Sequence, residues 1–95
     1  MYGTIARMNI KPGAEPQLET LSRESLQEIK GFVFEHVFRM DSNPQEFMLV
    51  VVFESKEAYR ANAESPEQNA RYQQYRELLT ADPEWHDGEL VFSFP

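Results

Sequence analysis

The sequence predicts an α+β fold of the ferredoxin-like type, a β-α-β-β-α-β plait with a four-stranded antiparallel sheet. Three observations predict it. Stretches rich in β-formers alternate with stretches of helical periodicity in that order. Turn and cap signals separate them at the expected places. One stretch, FMLVVVF, is a run of seven apolar residues that reads as a strand hydrophobic on both faces.

Each element has its own reason. YGTIARMNI, residues 2 to 10, reads as strand one and is ended by KPG. Helix one spans about Ala14 to Ile29, where Leu18, Leu21, Ser22, Ser25, Leu26 and Ile29 make one stripe. Gly31 follows as its C-cap. FVFEHVFRM is strand two, with Phe32, Phe34, His36, Phe38 and Met40 on one face and Val33, Glu35, Val37 and Arg39 on the other. DSNP turns the chain into strand three, FMLVVVFE. Ser55 caps a short helix holding Ala58 and Tyr59. SPEQ then restarts it, with Ser65 as N-cap, Pro66 at the first helical position and Gln68 completing a capping box. That segment runs to about Thr80, with Tyr72, Tyr75, Leu78 and Leu79 inward. ADPEWHDG reads as a loop and ELVFSF as strand four.

The chain has 95 residues and is expected to form a single domain over 1–95. Its net charge of -7 argues against nucleic acid and anionic membrane surfaces, which need clustered Lys and Arg. It has no cysteine, so disulfides, thiolate metal sites and Cys nucleophiles are excluded. MYGTIARMNI lacks the form of a signal peptide, and the longest apolar run is far too short to span a membrane. A cytoplasmic protein is expected.

Strand three carries Phe47, Leu49, Val51 and Phe53 on one face and Met48, Val50 and Val52 on the other. Two helices cover only one side. Val33 and Val37 of strand two are expected to add to the uncovered side. Exposing such residues forgoes about 1.5–3 kcal/mol each. The expected remedy is a homodimer in which two copies pack sheet to sheet about a two-fold axis.

YGTIARMNIKPG, GFVFEHVFR and FMLVVVFESKEAYRAN with SPEQNARY together resemble the antibiotic biosynthesis monooxygenase (ABM) family, nearly end to end. The resemblance implies paired sheets in a dimeric α/β barrel. It also implies a cofactor-independent monooxygenase that oxidises an electron-rich phenol, quinol or anthrone-like molecule with dioxygen. A non-catalytic ligand-binding dimer of the same fold is the alternative. In characterised polyketide enzymes of this kind, an Asn, a Trp and a Tyr from the helical region line a pocket between sheet and helices. Asn62 and Tyr72 match two of these, and Pro66 stands near the third. The haem-degrading branch uses a helix histidine, and neither histidine here lies on a predicted helix, so haem is disfavoured. No flavin is indicated.

The candidate catalytic residues are Asn62 as an oxyanion donor, Tyr72 as a hydrogen-bond donor, and His86 as a base, with His36 as another possible base. Tyr59, Tyr75, Trp85, His36, Arg7 and Asn9 are candidate pocket residues. Each has a structural alternative: packing for the tyrosines, capping for Asn62, ion pairing for Arg7, an aromatic core for His36, and a plug before strand four for Trp85. No spacing of His and carboxylates suggests a metal site.

Overall fold

The computed structural model describes residues 1–95. β1 (Tyr2–Asn9) leads into α1 (Glu15–Ser25), which tightens into a 3₁₀ turn over Leu26–Glu28. β2 (Phe32–Arg39) and β3 (Glu46–Phe53) follow, then α2 (Lys56–Ala63), α3 (Pro66–Arg76) and β4 (Glu84–Glu89). The strands form one antiparallel sheet in the order β2-β3-β1-β4. This is the predicted plait, with the second helix divided in two.

Local chemistry places the breaks. The Ser55 hydroxyl accepts from the Ala58 N–H, and the Ser65 hydroxyl from the Gln68 N–H, so each starts its helix by satisfying an orphan donor. The capping box is not completed. The Gln68 side chain turns instead toward Asn62 and Arg71. Gly31 adopts φ +82°, and a side chain there would meet the Ala58 methyl at 2.7 Å.

The core gathers at one end of the helix-facing layer: Ala6, Met8, Ile10, Ala14, Leu18, Phe47, Leu49 and Leu79. A bridge between Ile10 and Leu79 and the Thr80 N–H to Asn9 carbonyl bond tie the end of α3 to the end of β1. A bidentate Arg39–Glu15 pair ties β2 to the start of α1.

Two expectations are corrected. Strand four is EWHDGE, and the run expected to form it, ELVFSF, lies beyond it except for Glu89. Asp87-Gly88 is therefore strand and not turn, because pairing with β1 supplies a hydrogen-bonded partner that outweighs local turn preference. After the Leu90 N–H to Met1 carbonyl bond, regular structure ends, and Val91, Phe92 and Phe94 are 78%, 72% and 84% exposed.

The faces of β2 are also exchanged. A bulge between Phe32 and Phe34 leaves Phe32 opposite Phe53, yet puts Phe34 opposite Val52. One extra residue reverses the alternation. Glu35, Val37 and Arg39 therefore pair with Val51, Leu49 and Phe47 on the helix side. His36 and Phe38, with Val50, Met48 and Ile5, lie on the outer face. Val37 does not add to that face, and Phe34 and Phe38 do.

Candidate functional site

Beside the core, the sheet and helices separate around a cavity of about 580 Å³. Thr4, Leu49, Val51 and Phe53 floor it, and all three helices wall it. Its size and mixed lining suit a small organic ligand.

α2 brings Tyr59 and Asn62 to the cavity, and α3 brings Tyr72 and Tyr75. β4, paired to β1 in register Ala6↔Trp85 and Thr4↔Asp87, sends Trp85 and Asp87 to the same side. The Trp85 ring stands 6.5 Å from the Tyr72 ring, tilted by 53°. Tyr59 packs edge-on against Tyr2 and Phe53 and donates to Asp87 Oδ1 at 2.8 Å. Burial, and then the Asp87 carboxylate, push the Tyr59 phenol up to about 12. It stays protonated at neutral pH.

Asn62 is part of a polar lattice. Its Oδ1 accepts from Arg71 Nη2 at 2.9 Å, and its Nδ2 donates to Gln68 Oε1 at 3.3 Å. Arg71 Nε also donates to Gln68 Oε1, at 3.1 Å. The Asn62 backbone carbonyl accepts from the Ser65 N–H and hydroxyl, so the residue also joins α2 to α3. One amide hydrogen of Asn62 is not spent in these bonds. On the floor, the buried Thr4 Oγ1 has no hydrogen-bond partner.

The remaining predicted site residues lie elsewhere. Arg7 is on the outer face, bonded to Glu46 at 3.1 Å and Glu84 at 2.9 Å. Asn9 shares that face, opposite Glu46. His36 stacks on Phe34 at 4.7 Å, and His86 stands opposite Ile5. Alternation decides this: Trp85 enters the cavity, so its neighbour His86 must face away.

Sequence reasoning missed Glu35. Its carboxyl reaches the cavity from β2, near the Ser22 and Tyr75 hydroxyls, which lie 2.9 Å apart. Burial raises its affinity for a proton, and hydrogen bonding from Ser22 only partly offsets this. Tyr75 is raised too, first by burial, and it feels both the Glu35 charge and the opposing charge of Arg71. Glu35 also borders a second depression of about 570 Å³ between α1 and β2. A carboxylate alternating with Val37 and Arg39 was the available signal, and it was assigned to the wrong face. No group of three or more His, Cys, Asp or Glu side chains is placed to hold a metal ion. No helix is long and apolar enough to cross a membrane.

The ABM family model, described as antibiotic biosynthesis monooxygenase, matches residues 1–77. No curated protein sequence matches the chain. Among solved structures, the chain is similar to a variant of SnoaB, a cofactor-independent oxygenase from Streptomyces nogalater. That similarity has a TM-score of 0.79 and 18% identity, and covers 99% of this chain and 96% of the other. A Chloroflexus aurantiacus J-10-fl protein named for antibiotic biosynthesis monooxygenases gives 0.78 and 24%, over 99% and 96%. Rv0793 from Mycobacterium tuberculosis gives 0.73 and 20%, over 97% and 96%. At these identities the similarity to the solved structures concerns the fold.

Proposed function

The chain belongs to the antibiotic biosynthesis monooxygenase family, and from that premise we propose that it is a cofactor-independent monooxygenase acting on an electron-rich aromatic of the phenol, quinol or anthrone kind. The observation that carries the proposal is the convergence of Asn62, Tyr72 and Trp85 on one cavity that also holds a proton-accepting carboxyl, Glu35. Trp85 supplies from β4 an indole that Pro66 cannot supply from the helix.

The substrate lies in the cavity against the wall that Trp85 and Tyr72 form together. Glu35 takes the proton that converts a phenol or enol to its anion. A raised carboxyl is a stronger base than an ordinary one, which narrows the gap to a weakly acidic substrate. The free amide hydrogen of Asn62 and the Tyr72 hydroxyl donate to the developing oxyanion. The anion passes one electron to dioxygen, the radical pair joins as a carbon-bound peroxide, and Glu35 returns its proton to give the hydroperoxide. For an anthrone-like CH₂, loss of water leaves the carbonyl. The substrate supplies four electrons, one oxygen atom stays in the product, and the other leaves as water. The enzyme acts as a homodimer through the outer sheet face and works in the cytoplasm, consistent with a cysteine-free chain. The second reading, a ligand-binding dimer without turnover, is favoured by the engagement of Asn62 with Arg71 and Gln68.

Oxygen uptake by metal-free protein with a panel of hydroquinones and anthrones tests the choice. Turnover is expected, with kcat/KM falling roughly 10- to 1,000-fold in Asn62→Ala and measurably in Tyr72→Phe. Absence of turnover across the panel overturns the proposal in favour of the second reading.

A further inference from the structure

The chain has six arginines. Arg7, Arg23, Arg39 and Arg76 are each paired with a carboxylate. The two that are not, Arg60 and Arg71, both line the cavity. In a chain of 16 acidic residues and net charge -7, carboxylates are abundant, yet none is within ion-pairing distance of these two.

Arg71 is half-buried and held in place by neutral acceptors only, the amide oxygens of Asn62 and Gln68. These fix the plane of the guanidinium without cancelling its charge. Its other N–H donors toward the cavity are not met by a side-chain carboxylate, and a guanidinium matches a carboxylate bidentately. Arg60 adds a second positive charge at the exposed rim. Neither acid of the cavity pairs with them: Asp87 accepts from Tyr59, and Glu35 lies beside Ser22.

We propose that the cavity takes an aromatic carboxylate, its acid group anchored on Arg71 with Arg60 at the rim. This rests on the monooxygenase reading for the role of a hydroxyl, and narrows the substrate class to hydroxylated aromatic acids. A volume of about 580 Å³ admits a fused-ring acid.

Titration calorimetry at pH 7 with 6-hydroxy-2-naphthoate and 2-naphthol tests it on the intact protein. The acid is expected to bind roughly 10-fold or more tightly than the naphthol, the yield of one charge-assisted contact. In Arg71→Gln, which keeps an amide to meet Asn62 and Gln68, the preference is expected to vanish. In Arg60→Gln it is expected to shrink. Equal affinities in the unaltered protein, tighter naphthol binding, or binding of neither probe overturns the proposal, as does a preference that survives in a folded Arg71→Gln. If that variant does not fold, the unaltered protein and Arg60→Gln decide. Acid preference without oxygen uptake defeats only the monooxygenase reading. Oxygen uptake with neutral phenols and no acid preference defeats only this one.

Discussion

Glu35 owes its chemistry to its position, since an exposed glutamate on an outer sheet face would titrate normally. Burial holds its proton above the ordinary value of 4.5. The folded state therefore binds this proton more tightly than the unfolded chain. Stability from this group is fully present below pH 4.5 and is lost as pH rises through the raised folded value. Glu35→Gln is expected to raise the Tm at pH 7 while leaving it nearly unchanged near pH 4. In turnover, the same variant should lose the rise of kcat/KM with pH that a carboxylate base produces. A variant no more stable at pH 7 than the parent would show that the carboxyl is well solvated. Among candidate residues, those on helices were legible in the sequence, because α2 and α3 have clear caps and a readable inward stripe. Tyr72 and Tyr75 follow from the stripe of α3, whereas Asn62 was singled out by the family resemblance. Apart from Trp85, residues on strands were not legible, because a strand's period fixes which side chains share a face but not which face meets the helices. Glu35 and His36 exchanged places because the bulge between Phe32 and Phe34 leaves no mark in the sequence, and His86 was read as loop, where no alternation assigns a face.

At the scale of elements, the joint between α2 and α3 carries the site. Ser65 caps α3, and its hydroxyl also donates to the Asn62 carbonyl at 2.8 Å. Ser65→Ala is expected to cost about 1 kcal/mol in chemical denaturation. It should also loosen Asn62, whose carbonyl keeps only the Ser65 N–H. An unchanged denaturation midpoint would mean that Pro66 alone fixes the start of the helix. β4 is the element least visible in the sequence. LVFSF has the composition of a strand, whereas EWHDGE has the composition of a loop. Long-range contacts reverse the choice. Glu84 meets Arg7, Asp87 meets Tyr59, and Gly88 pairs with Gly3. A side chain at Gly3 would overlap the Val51 carbonyl, so the sheet closes tightly only with glycine at that position. None of these partners lies near β4 in sequence.

For the whole molecule, the outer sheet face carries the proposed dimer. Ile5 is 50% exposed and Phe38 57%, in a face shared with Phe34, Met48 and Val50. The exposed Val91, Phe92 and Phe94 add apolar surface beyond β4. Surface of this kind is worth roughly 25 cal/mol per Å² when covered. Sedimentation at micromolar concentration is expected to give a dimer, and Phe38→Glu, placing charge on that face, should shift it toward monomer. A monomer in the unaltered protein would contradict the assembly proposed above. The apolar double-sidedness of β3 made this face predictable, although the residues of β2 that complete it are Phe34 and Phe38.

Trp85 is the only tryptophan in the chain, and its ring borders the cavity beside Tyr72. Its emission therefore comes from a single place, the wall of the proposed ligand cavity. Quenching or a shift in wavelength on mixing reports occupancy in real time without dye or label, and a stopped-flow trace can separate arrival of the ligand from any later oxidation.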